Sequence, residues 1–358
     1  MKSWCVRWTA LILFCVFAVV LVRSTSADES PPRALRIVAF NTQCLAAPDT
    51  DDSLLRRYRW ETARRAHIER VADVIETLQP DVMALLEVTS KPSVDLLIEI
   101  LKEKGLDQYR AYHIESKDRF TGFDVAFVSR FEADLIEGEP IRNFYSPQGD
   151  MTWREPYAFT NEKNERVERE AALIRHSVLY ITVDDRKLGL LGLHLKADPS
   201  DDYSNARRTA EVQIARRIIQ KEIVARGYTP IVLGDLNDYD PDVPDRDPAR
   251  STKTRVIKQL KDYDDDAGDD AAGDELVNVA AHIKRIADRY TSHWDLNENA
   301  VADEGDVYTM IDHILVHKSL SRGIQRAFVC RLTDLKTSDH WPLVVDLLLP
   351  SKSVAITN

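Results

Sequence analysis

Two polar side chains follow an apolar run near residue 230, and their spacing places them together. The run is Ile231-Val232-Leu233-Gly234, and Asp235, Leu236 and Asn237 come directly after it. Side chains two residues apart in an extended chain point the same way, so a carboxylate and an amide face one small volume. An Asx-rich turn after a core strand has the same pattern, so the interpretation depends on the rest of the chain.

Acids, amides and imidazoles lie at the ends of other apolar runs as well. The full set is Asn41, Glu87, His194, Asp235, Asn237, Asp312, Asp339 and His340. Each except Asp312 closely follows or ends an apolar run, so one edge of a folded sheet could present them all. His194 or Asp312 taken alone is more often a hydrogen-bonded strand residue. The whole set together favours a site.

The donor types in this set favour one chemistry. Glu87 and Asp339 offer hard oxygen ligands, which suit Mg²⁺, Mn²⁺ or Ca²⁺ better than zinc. Two histidines and two further carboxylates suit proton transfer next to a metal-bound phosphate. The sequence has no cysteine cluster for a thiolate site, no GxSxG motif and no GxxxxGK[ST] loop. Metal-assisted hydrolysis of a phosphoester therefore fits these residue types best.

Short apolar runs alternate with amphipathic segments along the chain. Strands are predicted at residues 35–40, 82–86, 109–114, 125–129, 173–183, 187–193, 231–235, 311–316, 326–331 and 342–349. Helices are predicted at residues 60–78, 94–104 and 204–226, the last capped by Ser204. Several neighbouring strands suit hairpins, one of them about Asp184-Asp185-Arg186. Without repeats or a long linker, the chain is predicted to form one α/β or α+β domain with antiparallel pairing.

Two polar segments interrupt this pattern. Residues 137–170 look like a surface excursion from the domain. In the acidic run at residues 262–274, the first acids match the first ligand positions of an EF-hand loop. Ala267 replaces the required glycine and Gly273 the final glutamate, so this run is predicted to be a solvated loop.

The N-terminus has the pattern of a secretory signal. Lys2 and Arg7 precede an apolar run at residues 10–22, and small residues follow at 24–27. The apolar run is short for a membrane span, which needs about 20 residues. The chain is therefore predicted to be secreted or periplasmic after removal of residues 1–27, with an uncleaved membrane anchor as the alternative.

The chain without this signal is strongly acidic. Residues 1–27 carry three basic and no acidic side chains, so their removal changes the net charge from −11 to −14. Such a protein does not attract polyanions through its overall charge, so nucleic acid or phospholipid would need local Arg or Lys and bound cations. Cys44 and Cys330 remain and could form one disulfide, but they are not a disulfide framework.

Six short motifs occur along the chain in an order typical of one superfamily. They are Phe40-Asn41, the segment from Pro80-Asp81 to Glu87-Val88, Leu193-His194-Leu195-Lys196-Ala197, Gly234-Asp235-Leu236-Asn237, Ile311-Asp312-His313-Ile314-Leu315 and Ser338-Asp339-His340-Trp341-Pro342. Through them the chain resembles the endonuclease/exonuclease/phosphatase superfamily, which includes deoxyribonuclease I, over about residues 35–349. The resemblance implies a four-layer α/β/β/α sandwich of two mostly antiparallel sheets flanked by helices. This single domain would occupy residues 35–350, between a lead at 28–34 and a tail at 351–358.

The resemblance also implies the metal ligands and the base. Glu87 matches the principal metal ligand, with Asn41 and Asp339 completing the metal shell. The implied cofactor is Mg²⁺, with Mn²⁺ or Ca²⁺ as alternatives. His340 matches the base that activates the attacking water, and Asp312 the carboxylate that holds its ring in the useful tautomer.

The remaining roles concern the phosphate. His194 would donate to the scissile phosphate or protonate the leaving oxygen. Asp235 would position the water or a second cation, and Asn237 would hydrogen-bond a phosphoryl oxygen. Arg175 matches a phosphate-contacting arginine less closely. Asp124 is a candidate support for His194, with a strand-edge turn as the alternative.

The favoured substrate is nucleic acid. The resemblance is nearest to secreted nucleases that cleave DNA or RNA phosphodiesters, and no obligate protein partner is expected for what should be a monomer. Candidates for local phosphate contacts are Arg154, Arg166, Arg169, Arg175, Arg207 and Arg208. The net negative charge of the protein opposes this prediction of a nucleic acid substrate, although divalent cations would screen the charge.

Two other functions stay open. A phosphodiesterase or phosphatase for lipids or small phosphoesters, such as a sphingomyelinase-like enzyme, would need an exposed aromatic docking loop. The aromatic residues available for one are Phe144, Tyr145, Trp153, Tyr157 and Phe159. An inactive secreted binding module is disfavoured, because every metal and acid–base position is filled.

Two further features have structural interpretations. Tyr290 and Trp294 could stack on a base or fill the sheet edge, and packing or loop anchoring is favoured. His67 lies beside the apolar stripe of the first helix and is predicted to be structural.

Overall fold

Side chains of the long strands alternate between two buried faces. In the first strand, Leu35, Ile37 and Ala39 lie on one face while Val38 and Phe40 lie on the other, and all are buried. A strand that is buried on both faces needs a packed layer on each side. The computed structural model contains both layers.

The structure describes residues 34–48, 50, 61–198, 201–247, 254–264, 275–297, 299, 301, 303 and 305–349. The predicted signal peptide, the lead up to residue 33, most of the acidic run at 262–274 and the tail lie outside these residues. Residues 34–349 form one compact unit, which agrees with the single domain that was predicted.

The elements follow the predicted order. The strands are β1 (Ala34–Leu45), β2 (Val82–Val88), β3 (Arg110–Tyr112), β4 (Asp124–Ser129), β5 (Ile141–Arg142), β6 (Arg154–Thr160), β7 (Arg166–Ala172), β8 (His176–Val183), β9 (Arg186–His194), β10 (Thr229–Asp235), β11 (Leu276–Asn278), β12 (Ser292–Trp294), β13 (Val307–Thr309), β14 (Asp312–His317), β15 (Ile324–Val329) and β16 (Leu343–Leu348). The α-helices are α1 (Glu61–Leu78), α2 (Lys91–Glu103), α3 (Asp202–Ile218), α4 (Val256–Lys261) and α5 (Lys318–Ser321).

Two six-stranded sheets form the centre of the fold. The first sheet has the order β15-β16-β1-β2-β4-β3, and the second has the order β11-β14-β10-β9-β8-β5. Each contains one parallel pair, β1 with β2 and β9 with β10. All the other pairs in both sheets are antiparallel. The prediction of two mostly antiparallel sheets is therefore confirmed.

Three apolar clusters hold the four layers together. The inner cluster lies between the sheets and joins side chains such as Ile37 and Phe127 to Leu190 and Ile231. A second cluster packs α1 and α2 on the outer face of the first sheet. A third packs α3 on the outer face of the second sheet. The α/β/β/α sandwich is confirmed, and it follows from the two-residue alternation of the strands.

The observed bounds of β1 and β8 differ from the predicted ones. β1 continues past Asn41 to Leu45, through a register shift against β2 in which Gln43 and Cys44 have positive φ angles. The strand predicted at 173–183 begins only at His176, because β7 ends at Ala172 in a separate hairpin. Single-sequence patterns carry little information about such bulges and breaks.

The long helix has a different N-cap from the predicted one. The Asp201 carboxylate accepts a hydrogen bond from the Ser204 backbone N–H at 2.9 Å, so Asp201 is the cap and Ser204 is a residue of the first turn. A carboxylate at this position satisfies one of the free N–H groups of the first turn. The helix continues through a π turn and a 3₁₀ turn and ends at Gly227, which has the left-handed conformation expected of a C-terminal glycine.

The predicted surface excursion is partly ordered structure. Its strands β6 and β7 form a hairpin, and Arg217 of α3 binds this hairpin through the Glu155 carboxylate and the Arg154 carbonyl, both at 2.6 Å. Of the aromatic side chains of this segment, Phe144 is buried and stacks on His176 at 6.2 Å, and the others are half-buried. The exposed aromatic loop that a lipid-docking enzyme would need does not form among these residues.

Both cysteines of the described residues are free. The bridge between Cys44 and Cys330 is therefore not formed. No helix in the described part of the chain is long and apolar enough to cross a membrane.

Two buried histidines make the stability of the fold depend on pH. His67 hydrogen-bonds the Thr337 carbonyl at 2.7 Å, and His176 accepts a hydrogen bond from the Phe144 N–H at 2.8 Å. Both roles are structural, as was predicted for His67. Burial lowers the pKa of each histidine to about 4.

The low pKa values predict a loss of stability in acid. Between pH 6.5 and 4 the unfolded chain binds protons that these folded-state imidazoles do not, so the free energy of unfolding falls as the pH falls through this window. Each histidine contributes up to about 3–4 kcal/mol of this loss, because its pKa falls from 6.5 to about 4 and each pKa unit corresponds to about 1.4 kcal/mol. In His176→Gln, which keeps an acceptor for Phe144, the decline measured by urea unfolding at pH 7, 6, 5 and 4 should be shallower. An unchanged pH dependence would show that His176 is already protonated near pH 6.5.

Candidate active site

The functional side chains lie at one edge of the two sheets. Because β1 and β2 are parallel, Asn41 and Glu87 meet at their carboxyl ends. Because β9 and β10 are parallel, His194 and Asp235 lie opposite each other at their ends. Asp312 begins the antiparallel strand β14 in register with Asp235, so it reaches the same edge from the opposite direction. This explains why Asp312 alone does not follow an apolar run.

One amide joins the two sheets at this edge. Asn41 Nδ2 lies 3.1 Å from Glu87 Oε1 in the first sheet and 3.1 Å from Asp235 Oδ2 in the second. Its Oδ1 accepts a hydrogen bond from the Gln43 N–H, which fixes the orientation of the amide. The side chain predicted to hold the metal shell therefore also sets the distance between carboxylates of different sheets.

His340 and Asp312 form a buried hydrogen-bonded pair. His340 Nδ1 and Asp312 Oδ2 are 2.7 Å apart, and His340 Nε2 lies 4.0 Å from Asp235 Oδ2. Burial has the largest single effect and would lower the pKa of His340, but the charge and hydrogen bond of Asp312, together with the charges of Asp235 and Asp339, outweigh it, and the pKa lies well above its usual range. When Nδ1 donates to Asp312, the Nε2 atom is the one left for a reacting group.

Asp235 has an unusual protonation equilibrium. Burial, and after it the charge of Asp312, raises the pKa of Asp235 to about 7. The Asn237 N–H donates to Oδ1 at 3.0 Å, and Asn41 donates to Oδ2. A carboxyl group with a pKa near neutrality can exchange a proton at physiological pH, which suits a group that positions a water.

His194 is neutral at physiological pH. Burial, and after it the charge of Arg175, lowers its pKa well below the usual range. Its Nε2 lies 3.7 Å from Asp235 Oδ2 and 3.4 Å from Arg175 Nη1. A neutral imidazole carries one N–H and can donate a hydrogen bond without a net charge.

Arg175 and Asn237 complete the group around His194. Arg175 Nη2 donates to the Leu195 carbonyl at 3.0 Å, and Asn237 Nδ2 donates to the same carbonyl at 3.2 Å. Arg175 is also near Asp118, with 3.9 Å between Nε and Oδ2. The structure therefore brings both predicted phosphate-contacting residues to the site.

Asp124 does not support His194, so that prediction is wrong. Its Oδ2 pairs with His113 Nε2 at 2.7 Å, and its Oδ1 accepts from the Ser116 N–H at 2.7 Å. The reason is that β3 pairs with β4, which places the residues that follow β3 beside Asp124. The neighbouring Phe123 stacks on the His194 ring instead, with 6.3 Å between ring centroids.

The carboxylates at this edge fit a divalent cation. Burial, and after it the charge of Asp339, raises the pKa of Glu87, so these groups carry mutual repulsion that a cation would relieve. Asp312 Oδ1 is buried without a hydrogen-bond partner in the described residues. One atom each of Asp235, Asp312 and His340 lie within 4.8 Å of one another. Asp312 Oδ2 and His340 Nδ1 already bind each other, and such a pair suits acid–base chemistry. The oxygen-rich remainder, Glu87 and Asp339 with Asn41, suits a hard cation.

Sequence reasoning missed two residues that position the pair. Thr291 Oγ1 accepts from the Asp312 N–H at 3.0 Å, and its carbonyl accepts from the Trp341 N–H at 2.7 Å. Ser338 Oγ donates to the Asn41 carbonyl at 2.7 Å and accepts from the His340 N–H at 2.9 Å. Ser338 lay inside a recognised motif and could have been found there. Thr291 had no sequence signal.

The predicted arginine contacts are mostly used within the protein. Arg208 is fully buried and donates to the Lys196 carbonyl and the Asn205 side chain. Arg207 pairs with Glu211 at 3.0 Å, and the Arg169 guanidinium lies over the Phe159 ring. Arg154 and Arg166 lie near Glu170 and Glu168. Of the six candidates, Arg175 is the one that contacts a residue predicted to be catalytic, His194.

A cavity of about 1060 Å³ opens over these residues. Six carboxylate side chains line it: Glu87, Asp198, Asp235, Asp238, Asp295 and Asp339. His194, Asn237 and His340 also line it, and none of its lining residues in the described chain is Lys or Arg. The donors that the described lining residues present to an anion are therefore neutral, unless a cation is bound.

A sequence model of the endonuclease/exonuclease/phosphatase family matches residues 38–340. The chain belongs to this family. It is a metal-dependent phosphoester hydrolase, and the matched segment contains every residue of the site described above. No curated protein matches the sequence.

Solved structures of family members share the fold. The 3′ phosphatase NExo from Neisseria, bound to a product DNA hairpin, is 15% identical, with a TM-score of 0.54 over 87% of this chain and 99% of that one. A family protein from Leptotrichia buccalis is 13% identical, with a TM-score of 0.52 over 88% and 100% of the two chains. Another from Bacteroides thetaiotaomicron is 15% identical, with a TM-score of 0.51 over 90% and 100%. At these identities the likeness extends to the fold alone.

Proposed function

We propose that the protein is a secreted nuclease that hydrolyses phosphodiester bonds of DNA or RNA with a divalent cation, Mg²⁺ being favoured. The observation that carries the proposal is the buried His340–Asp312 pair, which faces Asp235 and the neutral His194 across one small volume. A base, a residue that positions water and a neutral donor are the parts that phosphodiester hydrolysis requires.

The residues act in a single hydrolytic step. His340 Nε2 takes the proton from the attacking water while Asp312 holds Nδ1. Asp235 orients the water. A cation held by Glu87, Asp339 and Asn41 would polarise the phosphoryl oxygen and offset the carboxylate charge that raises the pKa of His340.

The other side of the phosphate is bound by neutral donors. In the tautomer that carries its proton on Nε2, the neutral His194 donates a hydrogen bond to a phosphoryl oxygen or to the leaving oxygen without an added charge. Asn237 lines the cavity and has a second N–H for a phosphoryl oxygen, whereas Arg175 is buried and holds the Leu195 carbonyl beside His194.

Nucleic acid is the substrate class we favour. The Neisseria 3′ phosphatase with a similar fold was solved with a DNA hairpin. A lipid substrate has less support, because the aromatic residues of the 137–170 segment are buried or half-buried and none of them is exposed. Secretion is proposed from the basic, apolar and small residues of positions 1–27.

One activity panel tests the proposal. The purified chain is supplied with Mg²⁺, Mn²⁺ or Ca²⁺ and with plasmid DNA, single-stranded DNA, RNA, sphingomyelin or inositol phosphates. We expect cleavage of nucleic acid that EDTA abolishes and added cation restores. Release of phosphocholine or inorganic phosphate without nucleic acid cleavage would overturn the proposed substrate.

The proposed secretion of the protein is tested separately. When the full chain is expressed with its own N-terminus, the N-terminal sequence of the exported product should begin near residue 28. A cell-associated product that retains residues 1–27 would support the membrane anchor instead.

A further inference from the structure

An exposed tryptophan borders the cavity. Trp294 of β12 is 69% exposed, and Val307, which pairs with it on β13, is 41% exposed. Both residues line the cavity that contains Glu87 and His340. The sequence favours packing or loop anchoring for Trp294. A side chain this exposed is not part of the core, so its large apolar face is accessible to another molecule.

The hairpin that carries Trp294 is bound to the loop of Asp339 and His340, called the catalytic loop below. The His293 N–H donates to the Asp339 carbonyl at 2.8 Å, and Ser292 and His340 form an antiparallel bridge. Ser292 and Trp294 are two residues apart on one strand, so they lie on the same face, and both line the cavity. The position of the indole relative to His340 is thus set by backbone contacts.

Packed rings support the hairpin. His293 is buried and packs on the half-buried rings of Tyr308 and Trp341, with centroid distances of 4.6 and 5.7 Å and nearly parallel planes. Its Nε2 pairs with Asp306 Oδ2 at 2.6 Å. A strand residue held this firmly on one side leaves its neighbour Trp294 little freedom of position, which lowers the entropy lost when a ligand stacks on it.

The charge beside Trp294 restricts what can bind there. Asp295 follows it in the chain and also lines the cavity, whose described lining residues include six carboxylates and no Lys or Arg. A second phosphate placed beside the indole would meet like charge without a cationic partner. A flat, uncharged ring avoids this repulsion and stacks on the indole face.

We propose that Trp294, flanked by Val307, is the subsite for the base of one unpaired nucleotide next to the phosphodiester that is cleaved. The inference rests on the proposed nuclease function and narrows its substrate to single-stranded nucleic acid. In a duplex the same base is stacked between its neighbours and paired with a second phosphate chain, which the acidic cavity repels.

The test uses short single strands with one cleavable bond. All other linkages are uncharged methylphosphonates, and the strands are made of the nucleic acid that the activity panel shows to be cleaved. One strand carries a base on both sides of the cleavable bond. A second strand lacks the base on the 5′ side of the bond, and a third lacks the base on the 3′ side. Wild type should cleave one of the two abasic strands about 10-fold or more slowly in kcat/KM, within the range for losing one stacked base.

Variants assign the preference to the indole. Trp294→Ala should lower kcat/KM on the fully based strand to the abasic level, whereas Trp294→Phe should keep most of the preference. Leu296→Ala is the matched control, because Leu296 is 58% exposed in the same segment but does not line the cavity. Thermal unfolding of each variant checks the fold.

The outcomes separate the two proposals. Equal cleavage of all three strands by wild type, or an unchanged preference in Trp294→Ala, overturns the subsite and leaves the nuclease proposal standing. If the panel finds no nucleic acid cleavage, the nuclease function falls and the subsite falls with it.

Discussion

Replacing Asp312 by asparagine is expected to lower turnover by ~10²–10⁴, the range for removing one acid–base element. Asp312 Oδ2 is 2.7 Å from His340 Nδ1, so the amide would remove the anion that orients the ring and stabilises its protonated form. The shape of the side chain is nearly unchanged, so the fold should survive. Steady-state rates on single-stranded nucleic acid and a thermal unfolding curve measure the two effects.

The pH profile gives a second readout of the same substitution. The charge of Asp312 contributes to the raised pKa of His340, so its removal lowers that pKa. Because the base must be unprotonated, the acidic limb of kcat/KM should shift to lower pH in Asp312→Asn. Asp346→Asn is the matched control, since Asp346 is a carboxylate bound to Arg36 outside the site. Wild-type turnover in Asp312→Asn would remove Asp312 from the mechanism.

The second large effect is expected for Glu87→Gln. Glu87 is the carboxylate that we expect to bind the cation most directly. Burial and the charge of Asp339 raise its pKa, and Asn41 Nδ2 lies 3.1 Å from its Oε1. Loss of one anionic ligand should raise the cation concentration for half-maximal activity by about 10-fold or more and lower turnover by about 10²-fold, since Lewis-acid stabilisation contributes several kcal/mol.

Cation titrations of activity and of binding measure this second effect. Calorimetric binding of Mn²⁺ to the protein without substrate separates weaker binding from slower chemistry. Glu222→Gln serves as the control, because Glu222 pairs with Arg142 and Arg226 away from the cavity. If Glu87→Gln kept the wild-type cation dependence, the assignment of Glu87 as a ligand would be wrong.

Most residues that the structure brings together at the site are predictable from sequence, because they are polar side chains at the ends of apolar strands. Glu87, His194 and Asp235 each end an apolar run, and parallel pairing brings such ends together. Asp312 breaks that rule because its strand runs the other way, and it was found through its motif. The fold was predictable for the same reason, since buried strands with two-residue alternation need helices on both outer faces.

Side-chain partners that depend on how strands and helices pack together were not predictable. Asp124 turns to His113 because β3 lies beside β4, a pairing that no local pattern encodes. Arg208 was assigned to phosphate on charge alone, yet it is buried against the Lys196 carbonyl. The exposure of Trp294 likewise depends on how β12 and β13 lie against the catalytic loop.

The Asn41 amide that contacts both sheets has a consequence for how the enzyme tolerates change. Glu87 stands on one sheet and Asp235 on the other, so the reaction centre exists only while the two sheets keep their alignment. A sliding movement of about one ångström between them would separate groups that must share one phosphate. Interior residues between the sheets therefore influence turnover as well as stability, and substitutions that loosen this layer should impair the enzyme before they unfold it.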